Sequence, residues 1–197
     1  MTTIAFVRHG ITDWNIKKRA QGHSNNPLNE IGRRQARSVA KRLSDEKWDV
    51  IVSSDLLRAR ETAEIISSYI GKPITFDKRL REIGLGEIQG TTEEERIQKW
   101  GKIWRQLDLG VETDQSLGER GIAFVEAMAR KYPGKRIIAV SHGIIIGQTL
   151  KELFQSDTRD NNLNNTSVTI ITKSKGAWRY LLYNCTCHLK TELINEQ

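Results

Sequence analysis

Cysteine is nearly missing from this 197-residue sequence: Cys185 and Cys187 are the only two, one residue apart near its end. So close a pair is poorly placed for a stabilising cross-link, which points to a reducing cytoplasm. Proline is scarce, with three residues at Pro27, Pro73 and Pro133, each at an expected loop or helix end. No low-complexity linker and no internal repeat divides the chain. No apolar run approaches the ~20 residues of a membrane span, and the N-terminus lacks a secretory pattern. Residues 2 to 8 lead straight into a strand, so no cleaved leader is expected. The net charge is +7, but no basic block with interleaved aromatics accompanies it. Lys and Arg are mixed with Glu and Asp through expected helices, a solvated surface that mildly favours anionic small molecules over nucleic acid. Neither nucleic acid nor a membrane is expected as a partner.

What is present is a soluble globular composition, 38% hydrophobic and 28% charged, in a length that suits one domain over 1–197. Strand and helix alternate. The apolar run Ile4–Val7 is followed by a short helix opened by Thr12 through Lys17, a polar loop at 19–28, and a helix from about Glu30 to Ser44 capped by Asn29. In that helix Ile31, Ala36, Val39, Ala40 and Leu43 recur at helical spacing and define a buried face. A strand at 49–53 leads to a helix opened by Asp55, with Leu57, Ala63, Ile66 and Ile70 inward. Gly71-Lys72-Pro73 ends it before a strand at 74–76. Thr91-Thr92-Glu93 opens a charged helix containing Trp100 and Trp104, and an acidic loop at 108–115 follows. Ser116 begins a helix with Ile122, Val125, Met128 and Ala129 inward. Then come a strand at 136–141, a helix over 144–154, an Asn-rich loop at 160–165, and strands at 167–172 and 178–183. Such alternation predicts a layered α/β fold with a largely parallel sheet.

Two of the apolar strands stop in the same way. Ile4-Ala5-Phe6-Val7 runs into Arg8-His9-Gly10, where Gly10 permits a sharp turn, and Ile137-Ile138-Ala139-Val140 runs into Ser141-His142-Gly143. Open α/β sheets place ligand sites beyond the carboxyl ends of their strands, so two imidazoles are expected over one site. Arginine reaches anionic phosphate oxygens bidentately better than lysine does, and imidazole near neutrality offers a nucleophilic nitrogen. A second imidazole, if protonated, would add positive charge where a phosphoryl transition state spreads negative charge.

Arg8-His9-Gly10, Thr12-Asp13-Trp14-Asn15, Gln21-Gly22, Pro27-Leu28 and Gly32 resemble the histidine phosphatase superfamily, the phosphoglycerate mutase-like family. The resemblance continues through Ser53-Ser54-Asp55-Leu56-Leu57-Arg58-Ala59 with Thr62-Ala63, then Leu80-Arg81-Glu82 with Gly86 and Gly90, and Ser141-His142-Gly143. It implies a three-layer α/β/α sandwich with a mostly parallel central sheet and a small lid-like elaboration at about 88–115. It also implies a phosphatase that hydrolyses small phosphomonoesters without a metal or other cofactor, through a phosphohistidine on His9. In that reading Arg8, Arg58 and His142 form the phosphate pocket, and Glu82 protonates the leaving alkoxide. Asn15 and Gly143 make auxiliary phosphate contacts, and Gln21 and Gly22 touch the rest of the substrate. The expected partners are a small phosphorylated metabolite and inorganic phosphate as product; a homodimer is left open.

Taken singly, these residues have blander readings. His9 alone would more often be a structural histidine, Arg58 a surface cation and Glu82 a surface carboxylate; their roles rest on the ensemble. Glu87 and Glu94 compete as acids, and His23 reads as a rim or surface residue. The Trp100 and Trp104 pair suits core packing or the wall of a lid. Cys185-Thr186-Cys187-His188 offers too few ligands for a closed zinc site. The short stretch between Glu82 and His142 favours a hydrolase over a phosphoglycerate mutase, which remains the alternative beside a non-catalytic phospho-ligand binder. Leu80–Gly86 is similar to broad-specificity phosphatases, and Asn184–Leu189 to the tail of phosphoserine phosphatases. The chain departs from the latter at Leu85, where they carry His, and at Gly86–Gly90, where relatives favour a Trp-Glu-Gly ending.

Overall fold

A computed structural model of the chain describes residues 1–155 and 163–190. Six strands form one sheet in the order β3-β2-β4-β1-β5-β6: β1 (Thr2–Arg8), β2 (Val50–Ser53), β3 (Ile74–Phe76), β4 (Arg136–Ser141), β5 (Val168–Ser174) and β6 (Ala177–Cys185). The first four pair in parallel, and β5 is antiparallel to both β1 and β6. Only β5 therefore runs against the rest.

Side chains alternate across the central strands, as a sheet covered on both faces requires. Ile4 and Phe6 of β1 and Ile137 and Ala139 of β4 pack with Phe124, Val125 and Met128 of α5 (Asp114–Lys131) and Ile146 and Leu150 of α6 (Gly143–Phe154). Ala5, Val7, Ile138 and Val140 pack on the opposite face. Their partners are Val39, Ala40 and Leu43 of α2 (Glu30–Ser44) and Ala59, Ala63 and Ile66 of α3 (Leu57–Ile70). The result is a three-layer α/β/α sandwich whose apolar runs are buried on both sides.

Strand register decides where the site falls. Arg8 lies opposite Ser141, and Ser53 opposite Val140. The strands β1 and β4 thus end level and β2 one residue earlier, all on one edge, which releases His9, His142 and Ser54 close together.

Several local expectations change. Ile31 is exposed, because α2 turns its other positions to the sheet. Asp55 does not open α3; Leu56 stands at the N-cap with no side-chain hydrogen bond. Asp55 instead receives a two-pronged salt bridge from Arg81, at 2.7 and 2.6 Å. The helix after residue 108 starts earlier than expected, at Asp114, where Thr113 caps Ser116 N. Trp100 and Trp104 do not share a helix. The α4 helix (Glu93–Trp100) stops at Gly101, whose φ of 76° only glycine adopts readily, and Trp104 opens a separate turn. Trp104 is buried with Ile88 and Leu109. That cluster is tied to the body by backbone bonds from Gly90 N to Ala20 O (2.7 Å) and from Glu112 N to Gly84 O (2.8 Å). Of the expected Asn-rich loop, 160–162 lie outside the described residues. Among the described residues, no helix is long and apolar enough to cross a membrane.

Candidate active site

The end of β1 is held from three sides. His9 N donates to Ser141 O at 2.9 Å, Gly10 N donates to Thr62 Oγ1 at 3.1 Å, and the His9 carbonyl accepts Asn165 Nδ2 at 3.0 Å. Gly10 is needed for space rather than for an unusual φ. A Cβ there would lie 2.5 Å from the Gly32 carbonyl oxygen, where α2 passes directly beneath the turn.

The tautomer of His9 follows from its two partners. Nδ1 lies 2.7 Å from the Gly10 carbonyl, which only accepts, so Nδ1 carries the proton. Arg58 Nε, which only donates, lies 3.2 Å from His9 Nε2, so that nitrogen presents its lone pair. Burial, then the charges of Arg58 and Arg8, push the imidazole well below the usual histidine value, against a smaller opposing pull from the Gly10 carbonyl. His9 is a neutral base with its unprotonated lone pair on Nε2, accepting from Arg58.

Arg58 reaches it from the first turn of α3. The guanidinium is fully buried and also donates to Ser24 O at 2.9 Å and Gly22 O at 2.8 Å. Burial lowers it to about 10, with Glu82 opposing and Arg8 adding to the effect, so it remains charged at neutrality. Gly22 has φ 48°, which turns its carbonyl towards Arg58. Arg8 donates from Nη1 to the Leu163 carbonyl. A Cβ at Gly143 would lie 3.3 Å from Arg8 Nε, so that glycine lets the guanidinium lie against the start of α6.

His142 occupies the N-cap of α6 with its ring centroid 5.2 Å from that of His9. Its Nε2 meets Ser54 Oγ at 2.8 Å. Burial, followed by the charges of Arg58, Arg8 and Arg120, lowers it well below the usual histidine value. In the free protein this second imidazole is therefore held towards its neutral form, so the conditional positive charge is not present before substrate binds. Among the described residues, His142 Nδ1 and Arg8 Nε are buried without a hydrogen-bond partner. Buried polar atoms are normally paired, so both are ready for an external acceptor or donor.

Glu82 faces this group from the segment after β3. Its Oε1 accepts Ile83 N at 3.0 Å and Ile145 N at 3.1 Å, and its Oε2 accepts Ile144 N at 3.3 Å. It therefore sits on the free N–H groups of α6. The Glu82 carbonyl is fixed by His23 Nε2 at 2.8 Å and Arg120 Nη2 at 2.9 Å. Two guanidiniums, two neutral imidazoles and one carboxyl thus converge on one sheet edge, an arrangement suited to a tetrahedral oxyanion.

The comparisons with known proteins agree with this geometry. Residues 4–186 match the family model of the histidine phosphatase superfamily, branch 1. The chain belongs to that superfamily. It is 35% identical over 191 residues to the uncharacterised phosphatase PhoE of Bacillus subtilis, covering 96% of this chain and 97% of PhoE. It is 37% identical over 192 residues to a probable phosphoglycerate mutase, GpmB, of Escherichia coli, covering 90% and 88%. Among solved structures, a mycobacterial glucosyl-3-phosphoglycerate phosphatase complexed with VO3 superposes with a TM-score of 0.84 at 28% identity, covering 93% and 98%. The fold is that of this superfamily, and the chain is a histidine phosphatase, a phosphoric monoester hydrolase.

Within this histidine phosphatase, the five residues expected to do chemistry lie together. The expected substrate contacts divide. Gly143 borders Arg8, and Gly22 holds Arg58 through its carbonyl. The Asn15 side chain closes a capping box with Thr12 on the short helix α1 (Asp13–Ile16), and Gln21 Oε1 accepts the Thr12 hydroxyl at 3.0 Å. Glu87 is exposed and lies 4.0 Å from Lys99. His23 is exposed, yet it braces Glu82 through the backbone.

Ser54 and Thr62 stand inside motifs the sequence displays but carried no assigned role. Their signal was a small hydroxyl next to apolar core positions, which burial obliges to find a partner. Arg120 gave no signal. On a helix it reads as a surface cation, yet it donates to the carbonyls of Arg79, Arg81 and Glu82 and to Glu112.

Proposed function

We propose that this chain hydrolyses small phosphomonoesters by forming a phosphohistidine on His9 Nε2. The observation that carries the reading is the paired fixing of His9, with Nδ1–H on the Gly10 carbonyl and Arg58 Nε on Nε2. A base held neutral with its lone pair directed at a guanidinium is prepared to attack phosphorus brought in by that guanidinium. Arg8 and Arg58 supply the positive charge that balances the equatorial oxygens, a role metal ions fill in other phosphoryl-transfer sites. The unpartnered Nδ1 of His142 can serve one of those oxygens.

As the bond from His9 Nε2 to phosphorus forms, the bond from phosphorus to the ester oxygen breaks, and Glu82 passes that oxygen the proton it takes up from the bound phosphate monoanion. Water then attacks the phosphohistidine, Glu82 takes a proton from it, and the nitrogen–phosphorus bond breaks to release inorganic phosphate. Histidine remains neutral before and after the cycle. The free thiols of Cys185 and Cys187 fit work in a reducing cytoplasm.

The test is hydrolysis of p-nitrophenyl phosphate with and without chelator, alongside His9→Ala. Activity should persist in chelator and vanish in the variant, and acid-labile phosphate should be trapped on the unmodified chain. Undiminished turnover by His9→Ala would remove the mechanism. The similarity to GpmB favours a second reading, mutase-type phosphoryl transfer. Incubation with 3-phosphoglycerate and 2,3-bisphosphoglycerate separates the two: inorganic phosphate marks hydrolysis, 2-phosphoglycerate marks the mutase.

A further inference from the structure

The Asn184–His188 segment lies beyond every residue used in the reaction, yet it reaches the site through one turn. Residues 163–166 contact Arg8 and His9 repeatedly. Leu163 O accepts Arg8 Nη1, Asn165 Nδ2 donates to His9 O at 3.0 Å, and Thr166 N reaches the carbonyls of Arg8 at 3.0 Å and His9 at 3.3 Å. This turn closes over the end of β1 and sets the position of the residue proposed to attack.

The turn is itself unusual. Thr166 is fully buried with φ 54°, a left-handed conformation that a β-branched residue rarely adopts. Its neighbours must hold it there. Thr166 Oγ1 donates to Asn165 O at 2.8 Å, so the contact of His188 Nε2 with that hydroxyl at 3.3 Å has the ring as donor. The same tautomer follows from the other side of the ring: Nδ1 lies 3.2 Å from Arg42 Nη1, and a guanidinium only donates. His188 is buried, and burial followed by the charge of Arg42 lowers it to about 4, so the ring stays neutral near pH 7. Asn184 grips the other end. Its Oδ1 accepts Asn164 N at 2.9 Å, and its own φ of 46° is one that asparagine tolerates.

We propose that Asn184 and His188 are positioning residues for Arg8 and His9, acting through the 163–166 turn. The chain of contacts runs from Arg42 on α2 through His188 on α7 (Cys187–Lys190) to Thr166, and from there to the two carbonyls of the β1 end. Its catalytic consequence rests on the phosphohistidine reading above; its geometric content does not. Misplacing a nucleophile by about 1 Å costs on the order of a hundredfold in rate.

Four variants test it: His188→Ala, His188→Gln, Asn184→Gly and Asn184→Asp. Gln can return a donor to Thr166, Gly keeps the backbone conformation at 184 while removing the acceptor, and Asp restores that acceptor. In folded His188→Ala and Asn184→Gly, kcat for p-nitrophenyl phosphate should fall about tenfold to a hundredfold, with orthovanadate inhibition weakened in parallel. His188→Gln and Asn184→Asp should recover most of both. With 15N-labelled histidine, the Nδ1–H tautomer signal of His9 should shift or broaden in the Ala and Gly variants and return in the conservative ones. An unchanged His9 signal and unchanged orthovanadate inhibition in Asn184→Gly would overturn the proposal, even if His188→Ala fails to fold. Because the His9 signal is read without turnover, an active His9→Ala would remove the reaction scheme and leave this positioning test standing.

Discussion

Arg58 Nε donates to His9 Nε2 across 3.2 Å while the remaining guanidinium nitrogens hold the carbonyls of Gly22 and Ser24. One side chain thus fixes the direction of the unprotonated lone pair and carries positive charge to the same point. Arg58→Lys keeps the charge but cannot make all three contacts, because an ammonium on a flexible stem has no planar fork. It should lower kcat/KM for p-nitrophenyl phosphate by roughly a hundredfold or more, comparable with loss of a transition-state donor. Steady-state kinetics checks this, and near-normal activity would show that charge alone is sufficient.

Glu82 meets three backbone N–H groups, which fix the direction of its carboxyl group. Glu82→Gln keeps the shape and an acceptor oxygen but has no transferable proton. Hydrolysis of alkyl phosphates should fall at least about tenfold further than that of nitrophenyl phosphate, whose leaving group needs little protonation. Equal losses on the two substrates would argue against Glu82 as the proton donor.

Gly32 sits in the first turn of α2 with its Cα hydrogens against the Ile11 carbonyl. Alanine in a helix is ordinarily better than glycine by about 0.5–1 kcal/mol. Here a Cβ would drive into backbone, and overpacking of this kind costs about 1–3 kcal/mol. The steric effect should win, so Gly32→Ala should destabilise the fold in urea titrations. It should also slow turnover, since Gly10, whose carbonyl holds the His9 proton, abuts the same glycine.

His9 and His142 are both held well below the ordinary histidine value of 6.5. Below pH 6.5 the unfolded chain takes up protons that the folded sites refuse, so the folded state loses stability as pH falls through that value. Each such histidine contributes a slope of up to about 1.4 kcal/mol per pH unit. Urea midpoints at pH 7.5 and 5.5, a range in which carboxylates stay ionised, should differ in that direction. The difference should shrink in His142→Asn. A midpoint that is flat or rises on acidification would contradict the assignment.

The sequence alone determined the layers and the two strand ends. Runs such as Ile4–Val7 and Ile137–Val140 read as strands buried on both faces, and the spacing of Val39, Ala40 and Leu43 marks the buried face of a helix. These are local periodicities, legible without neighbours. The positions of His9, His142, Arg8, Arg58 and Glu82 were legible as motifs, though not as a geometry. Tertiary structure decided what depends on partners distant in sequence. It set the tautomer of His9 through Gly10 and Arg58, and the neutrality of His142 through burial among cations. It gave Gly10 its steric role against Gly32, engaged Asn15 with Thr12, and separated Trp100 from Trp104 at Gly101. A side chain's chemical type is written in the chain, but its protonation and direction are fixed by the atoms that surround it, and folding alone brings Arg58, Thr166 and His188 to the end of β1.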